Sequence, residues 1–396
     1  MLDVAIIGGG LCGLALAHSL AARRCNFRLF EARERLGGRI LSVPTEPGAV
    51  LDLGPAWFWP ETQPSITRLI ADLGLPTVAQ RDDGRVLHLT DPNQAPQTLT
   101  VTPEWRTDAA ASAEPGRLHG GAHRLVGGMQ ALVDAFVSVL DRAGQIERLR
   151  TGHALEALHD HGDHIELRLR HGPVSYSVQA RQVVLALPPR VAQSTVNFTP
   201  ALPPELAAAL QATPTWMASA AKAAIAFAQP FWHAQGHTGN AWINHAQAVL
   251  AEVFDACGPE VDGVARPAAL AGFFALNAEQ RQAFRSAMPL LLRSQFALLF
   301  GLDAEAGELH WHDWATEPWT CSPLDRAEDE QPPGHPNHAD AQLAQPQWGG
   351  RLWFGGSETA AQHSGYLEGA LSAAARLRRS LAAPQGNDQL DQRNLA

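Results

Sequence analysis

The chain opens on a short unbroken apolar run, Val4-Ala5-Ile6-Ile7. A run this brief, with no polar alternation, suits a strand covered on both faces in a parallel sheet. A glycine-rich turn follows at 8–13, then a helical pattern over 14–22, and then a second strand, Phe27-Arg28-Leu29-Phe30. Further on, apolar residues at helical spacing predict helices over 63–73, 129–143, 278–299 and 366–381. Strand-like runs fall at 87–89, 165–169, 176–178 and 183–187. Residues 159–164, with Gly162 inside, read as the hairpin loop ahead of the 165–169 strand. Pro-, Gln- and Asp-rich stretches at 325–347 and 384–396 read as a long loop and a disordered tail. No internal repeat interrupts this pattern, and the order of elements is that of an α/β protein.

The first turn carries chemistry. Gly8, Gly10 and Gly13 hold the first, third and sixth places of GxGxxG, with Cys12 between the last two. Glu31 closes the second strand, 18 residues after Gly13. Strand, glycine turn, helix, strand and acid in this order make a dinucleotide site. The glycines let the backbone approach a pyrophosphate at the helix N-terminus, and the acid takes ribose hydroxyls.

A second feature stands out in mid-chain. Of 30 Lys and Arg residues, one is a lysine, Lys222. It sits in Ala218-Ser219-Ala220-Ala221-Lys222-Ala223-Ala224-Ile225-Ala226-Phe227, an apolar strand-like run where a charge needs a reason. Everywhere else this chain uses guanidinium, which stays protonated; an ammonium can lose its proton when desolvated. Compositional drift with one survivor is the plain alternative.

Three further segments point to a family. Glu31-Ala32-Arg33-Glu34-Arg35-Leu36-Gly37-Gly38-Arg39, then Asp52-Leu53-Gly54-Pro55-Ala56-Trp57, and finally Phe354-Gly355-Gly356-Ser357-Glu358-Thr359 running on to His363-Ser364-Gly365-Tyr366-Leu367-Glu368-Gly369-Ala370, occur in that order. They resemble the FAD-contacting motifs of the flavin monoamine oxidases, within the amine oxidase superfamily. Other stretches resemble family elements too: 216–232, which holds Lys222, the tryptophan segment Trp314-Ala315-Thr316-Glu317-Pro318-Trp319, and the 124–128 and 183–189 segments. The resemblance covers 1–80, about 118–235 and 310–380. It implies FAD contacts at Arg33, Gly38, Arg39, Gly54, Pro55, Ala56, Trp57, Gly356, Ser357, Glu358 and Leu367, beside Gly8, Gly10, Cys12, Gly13 and Glu31, and a looser one at His153. It makes Lys222 the residue that holds a water at flavin N5, Tyr366 an aromatic wall over the ring, and Trp314 a shaper of the substrate cavity. Gly365 and Gly369, flanking Tyr366, suggest close approach of the cofactor.

Departures qualify the picture. Where several members carry a flavin-linking cysteine the alignment puts Pro323, with Leu324 at the adjacent tyrosine and Cys321 two residues early. The FAD is therefore expected to be non-covalent. Only Tyr176 and Tyr366 are tyrosines, so the usual second wall is missing, and the 81–117 excursion looks short.

The implied architecture is a two-domain, glutathione-reductase-like FAD fold of Rossmann type with an interleaved α+β substrate domain. Residues 1–80, 118–200 and 345–383 form the cofactor domain, and 81–117 and 201–344 the substrate domain. A length of 396 residues accommodates two cores. Net charge is −10 without a basic stripe, which argues against nucleic acid. Four cysteines without CxxC spacing suit a reducing cytoplasm, and no apolar run approaches the ~18 residues of a membrane span. Seventeen histidines, among them His159, His161 and His164, His310 with His312, and His335 with His338, offer short spacings that chance supplies, so no metal is expected.

The expected activity is oxidation of an amine or amino acid C–N bond, with hydride passing to the flavin, imine hydrolysis, and O2 or another acceptor. Two other readings share the FAD motifs: a desaturase or ring oxidase of an apolar substrate, like phytoene desaturases and protoporphyrinogen oxidases, and a non-catalytic flavoprotein. Lys222 and the Ser-Gly-Tyr segment favour the amine.

Overall fold

The structure, a computed structural model, describes residues 1–101, 119–329 and 339–381. The expected tail at 384–396, the part of the 81–117 excursion beyond residue 101, and His335 and His338 lie outside the described residues. The chain divides into two compact units. One comprises Met1–Gly38, Val133–Trp216 and Gly334–Ala396, the other Arg39–Leu132 and Met217–Pro333. Packing thus divides the chain at other points than the motifs suggested, for residues 39–80 and 119–132 fold with the second unit, and 201–216 and 339–344 with the first.

The first unit is built on an eight-stranded sheet. Strand β1 (Leu2–Ile7) is central, parallel to β2 (Phe27–Phe30) on one side and to the end of the Val174–Leu185 strand on the other. Helix α1 (Leu11–Ala22) connects β1 to β2. The parallel pairing explains the unalternated Val4-Ala5-Ile6-Ile7 run, since every one of these residues is buried. Two expected strands at 176–178 and 183–187 are one long strand, Val174–Leu185. Its first half pairs antiparallel with Ile165–His171, and its second half pairs parallel with β1 and Leu352–Phe354. One strand thereby belongs to two pairing systems, and the polar residues between the two apolar runs remain in the ladder. The 159–164 hairpin is present, although His159 and Asp160 are the end of the His153–Asp160 strand rather than loop.

The second unit holds a seven-stranded sheet in the order Glu308–Asp313, Ala221–Phe227, Ala268–Phe274, Leu250–Asp255, His237–Ile243, Gly84–Leu89, Gln97–Val101. It is antiparallel except between His237–Ile243 and Gly84–Leu89. The Ala221–Phe227 strand is buried at every position. Ala223, Ile225 and Phe227 join a core with Leu292, Phe296 and Leu299 of the Met288–Phe300 helix. Ala224 and Ala226 face a second cluster with Leu51, Leu53, Ala56 and Phe254. The helix expected over 278–299 is two, Ala278–Ala283 and Met288–Phe300. Pro289 lacks an amide proton, which costs nothing in a first turn but would break a helix interior, so the second helix starts there.

A buried ion pair ties these pieces together. Arg281 donates Nε to Asp313 Oδ2 at 2.9 Å and Nη2 to Oδ1 at 2.8 Å, and it also reaches the carbonyls of Leu276 and Ser219. Asp313 ends the strand beside Lys222's strand and accepts the Ala315 amide proton. Arg281→Met should leave Asp313 charged and unpaired, at a cost of about 3–5 kcal/mol. Chemical denaturation of the variant measures this, and a loss below about 1 kcal/mol would mean the pair holds little.

Candidate active site

The glycines of the first unit are dictated by backbone proximity. Gly8 has φ +109°, and a Cβ there would sit 2.4 Å from the Ala186 carbonyl oxygen. A Cβ on Gly13 would lie 2.0 Å from the Gly8 carbonyl oxygen, so helix and strand meet only because both residues are glycine. Gly10 pairs with Gly37 through a β-bridge, and nothing stands nearer its own missing Cβ than the Gly37–Gly38 backbone at 3.9 Å. Gly10 caps α1 without a side-chain hydrogen bond. The amides of the first turn thus face an open backbone cradle, with the positive end of the helix dipole behind them. Glu31, 4% exposed, stands beside that cradle and accepts from the Gly9 amide at 2.7 Å and the Arg33 amide at 3.0 Å. Two N–H donors hold the carboxylate in place and leave it further acceptor capacity for ribose hydroxyls. The residues present fit a dinucleotide.

Within the first unit, others of the expected contacts are placed as follows, with one correction. Cys12 receives the Gly356 amide at its Sγ, 3.3 Å away, and burial pushes its thiol up to about 11. Ser357 donates to the fully buried Glu358 at 2.8 Å. His153 gives its backbone amide to the Glu31 carbonyl, while its ring stacks on His171 and shares a hydrogen bond with the Tyr176 hydroxyl at 2.7 Å. Burial, with His171 and Arg150 nearby, holds that imidazole below its usual range. Tyr366 caps the Leu367–Ser380 helix, half-buried. The correction concerns its flanking glycines. A Cβ on Gly365 would meet Trp216 Cβ at 2.6 Å, and one on Gly369 would meet the His363 carbonyl at 2.2 Å. Both glycines are required by the protein's own packing, so neither is evidence of cofactor approach.

In the second unit Lys222 is 3% exposed, and its Nζ donates to the Gly54 carbonyl. The rings of Phe273, Trp57 and Phe254 surround the nitrogen, with centroids 4.8, 5.6 and 5.7 Å away. Burial lowers this amine to about 8, opposed by the charges of Asp52 and Glu252. The segment 52–57 is fastened at each step. Asp52 accepts from Ser42 and from the Met129 amide, Leu53 accepts from the Trp314 indole at 2.9 Å, and Gly54 from Lys222. A Cβ on Gly54 would lie 2.0 Å from the Arg39 carbonyl oxygen, and Trp57 donates to Gln80 at 2.9 Å. Trp314 is itself buried and lies against His312.

Several residues of this surround escaped the sequence reading. Phe254 and Phe273 lie on strands of unremarkable apolar pattern, and only strand pairing reveals them: Phe273 is the register partner of Lys222. His119 lies tilted against Trp57 with ring centroids 3.8 Å apart, between Asp82 at 3.3 Å and Glu252 at 2.9 Å. Burial opposes its charge, but the two carboxylates outweigh burial and raise it.

Among the described residues, the histidines weighed as metal ligands make other contacts, His310 with Glu308 and His312 with Glu317. His159, His161 and His164 stack face to face at 4.4 and 4.8 Å. Among the described residues, His233, Asp255 and Cys257 are the one group of three potential ligands whose atoms lie within 4.8 Å of one another. There Asp255 is engaged by the Trp232 indole, His233 and the Cys257 amide. At the expected flavin-linking position Pro323 opens a short helix capped by Ser322 and Asp325, and Cys321 is buried with its thiol pushed up to about 12.

Comparison with known proteins settles the class. The family model for flavin-containing amine oxidoreductases matches residues 116–377, and one for NAD(P)-binding Rossmann-like domains matches residues 6–73. A flavin-containing amine oxidase of Danio rerio is 23% identical over 97% of this chain and 86% of its own length. Flavin-containing amine oxidase A of Bos taurus is 25% identical over 96% and 85%. The structure of a putrescine oxidase bound to putrescine superposes with a TM-score of 0.71 at 19% identity, covering 96% of this chain and 98% of that one. The chain belongs to the flavin-containing amine oxidoreductase family. It is an FAD-dependent enzyme acting on an amine C–N bond, in a two-domain fold with a Rossmann-type nucleotide domain, and the match favours this over the desaturase and ring-oxidase alternative. No helix among the described residues is long and apolar enough to cross a membrane.

Glu31→Gln tests the cradle. It keeps the shape but weakens charge-assisted hydrogen bonds to ribose, worth roughly 1.5–3 kcal/mol. FAD affinity, measured by flavin fluorescence on titration, should fall about tenfold to a hundredfold at that cost; unchanged affinity would mean that Glu31 does not meet the ribose.

Proposed function

We propose that this enzyme holds FAD non-covalently and oxidises a small amine bound as its neutral base, with Lys222, Tyr366 and Trp314 as the working residues and O2 or another acceptor completing the cycle. The observation that carries the reading is the chain's one lysine, buried, hydrogen-bonded to Gly54 and ringed by Trp57, Phe254 and Phe273. When bound, FAD would supply the electron sink for oxidation of the amine C–N bond to an imine, which water would hydrolyse.

The protein's part is to bind, orient and tune. Gly8, Gly10, Gly13 and the α1 amides would take the pyrophosphate, and Glu31 the ribose, with Arg33, Gly38, Arg39, Gly54, Pro55, Ala56, Trp57, His153, Gly356, Ser357, Glu358 and Leu367 as further contacts. In this reading the motif segments 1–80, 118–200 and 345–383 are a division by cofactor contact, distinct from the division by packing. Lys222 would hold a water at N5. A compact ammonium or amine can do so, whereas a planar guanidinium is too large and never deprotonates. Burial, the same desolvation that lowers Lys222, would disfavour a second cation and so help keep the substrate nitrogen neutral, as hydride loss requires. Tyr366 would wall the substrate, and Trp314 would act by fixing Leu53 and, through it, the 52–57 turn.

Non-covalent binding predicts a yellow protein that releases FAD on acid precipitation; colour left in the pellet would point to a covalent link, to be mapped first at Cys321. An amine panel read by peroxide formation and by dye reduction should give turnover, with the balance of the two readouts naming the acceptor. Lys222→Met, of similar apolar volume, should keep FAD and slow flavin reduction, reoxidation or both by at least about tenfold, the scale of one positioned group. Lys222→Arg should be impaired as well. Wild-type rates for Lys222→Arg in both half-reactions would make this lysine a compositional survivor.

A further inference from the structure

Within the second unit, the strands Val50–Asp52, His123–Leu125, Ala221–Phe227 and Ala268–Phe274 border a cavity of about 20 Å³. Much of its wall is small and apolar, including Ala224, Ala256 and Ala271. Two charged side chains, Asp52 and Arg124, complete it. Asp52 commits one oxygen, Oδ1, to both Ser42 Oγ and the Met129 amide at 2.9 Å. Arg124, 7% exposed, commits Nε to Gln80 Oε1 at 2.9 Å and Nη2 to the Cys257 carbonyl at 2.6 Å. No hydrogen bond among the described residues uses Asp52 Oδ2 or Arg124 Nη1. A wholly apolar void stays dry, but a water needs only about 10–15 Å³ and two to four polar partners. This cavity offers the room, an acceptor and a donor.

We propose that the cavity holds one internal water, accepting from Arg124 and donating to Asp52, and that Asp52, supported in this way, is the counter-ion of the Lys222 amine. Asp52 lies two residues before Gly54, whose carbonyl receives the Lys222 proton, so the turn that holds the amine also carries the carboxylate. Among the described residues, the other charged or titratable groups facing this set are Glu252 from the Leu250–Asp255 strand, paired with His119; His312, opposite Lys222 on the Glu308–Asp313 strand; and Asp255, Cys257 and Asp82, near Arg124. Burial raises Asp52 to about 6, opposed by Ser42, Met129, Lys222 and Arg124, so its carboxylate is charged at neutral pH. Of the groups that help Lys222 keep its proton, Asp52 stands first and Glu252 second. Losing Asp52's charge leaves desolvation less opposed, so the amine should deprotonate at lower pH. Asp52 is therefore a positioning residue that acts through Lys222.

The functional weight of this pair rests on the proposed role of Lys222, but its test does not. A single lysine gives a single side-chain signal, so 13C-lysine labelling of the FAD-loaded protein reports Lys222 alone. The wild-type Cε resonance should titrate with a midpoint of about 8. In Asp52→Asn, whose side-chain oxygen still accepts from Ser42 and Met129, the midpoint should fall by about one unit or more, as expected for removing a near opposite charge. Glu252→Gln should move it less. An unmoved midpoint in Asp52→Asn, or a larger shift in Glu252→Gln, overturns the counter-ion. A crystal structure of the wild-type protein supplies the second arm: density for one water within hydrogen-bond reach of Asp52 Oδ2 and Arg124 Nη1 supports the bridge, and a dry cavity or a direct Asp–Arg contact overturns it, whether or not the variants fold. A shifted midpoint alongside unimpaired amine oxidation by Lys222→Met would keep the counter-ion and sink the catalytic reading instead.

Discussion

An ionisable nitrogen enclosed by protein must be satisfied, and the second unit is arranged around that requirement at Lys222. Taking an ammonium out of water costs several kcal/mol even after relaxation. The return comes from a carbonyl acceptor, three aromatic faces, and carboxylates at Asp52 and Glu252. The carbonyl belongs to Gly54, and the residues on either side of it are tied in turn by Ser42, Met129, Trp314 and Gln80. A side chain that would be a defect in an ordinary core strand is here the point from which a whole turn is held.

That arrangement explains the strand that carries the lysine. Ala221–Phe227 is covered on both faces, one by the helix-backed core and the other by the alanine-rich cluster under the 49–56 segment. Alanines let neighbouring strands and the turn come close enough for the Lys222 nitrogen to reach Gly54, and larger residues at 224 or 226 would hold them apart. In the first unit the same economy falls to glycine: Gly8 and Gly13 close a turn that any Cβ would open. Both units therefore place chemistry where backbone meets backbone, and small residues make the approach possible.

How far the sequence revealed this depended on range. The nucleotide cradle was legible because its signals are local: strand, glycine spacing, helix and acid fall within 31 residues. Lys222 was legible by contrast, as a lone lysine in an apolar run. Phe254, Phe273, His119 and Arg124's pairings were not, since strand register and long-range packing bring them to the site, and neither leaves a periodic trace. Gly365 and Gly369 misled for a related reason. A glycine announces close approach without saying to what, and here the neighbours are Trp216 and the His363 carbonyl. The helix over 278–299 failed at Pro289, where apolar periodicity continued but the chain lacked an amide proton. The boundaries between units escaped for want of a composition shift at residue 38 or 132; packing, not local pattern, sets them.

The account stands or falls on whether the buried amine works at the flavin. A crystal structure of the FAD-loaded protein with an unreactive amine bound tests this most directly. It should show one ordered water hydrogen-bonded to both Lys222 Nζ and flavin N5. A Lys222 side chain that points away from the ring, with N5 facing other residues, would contradict it.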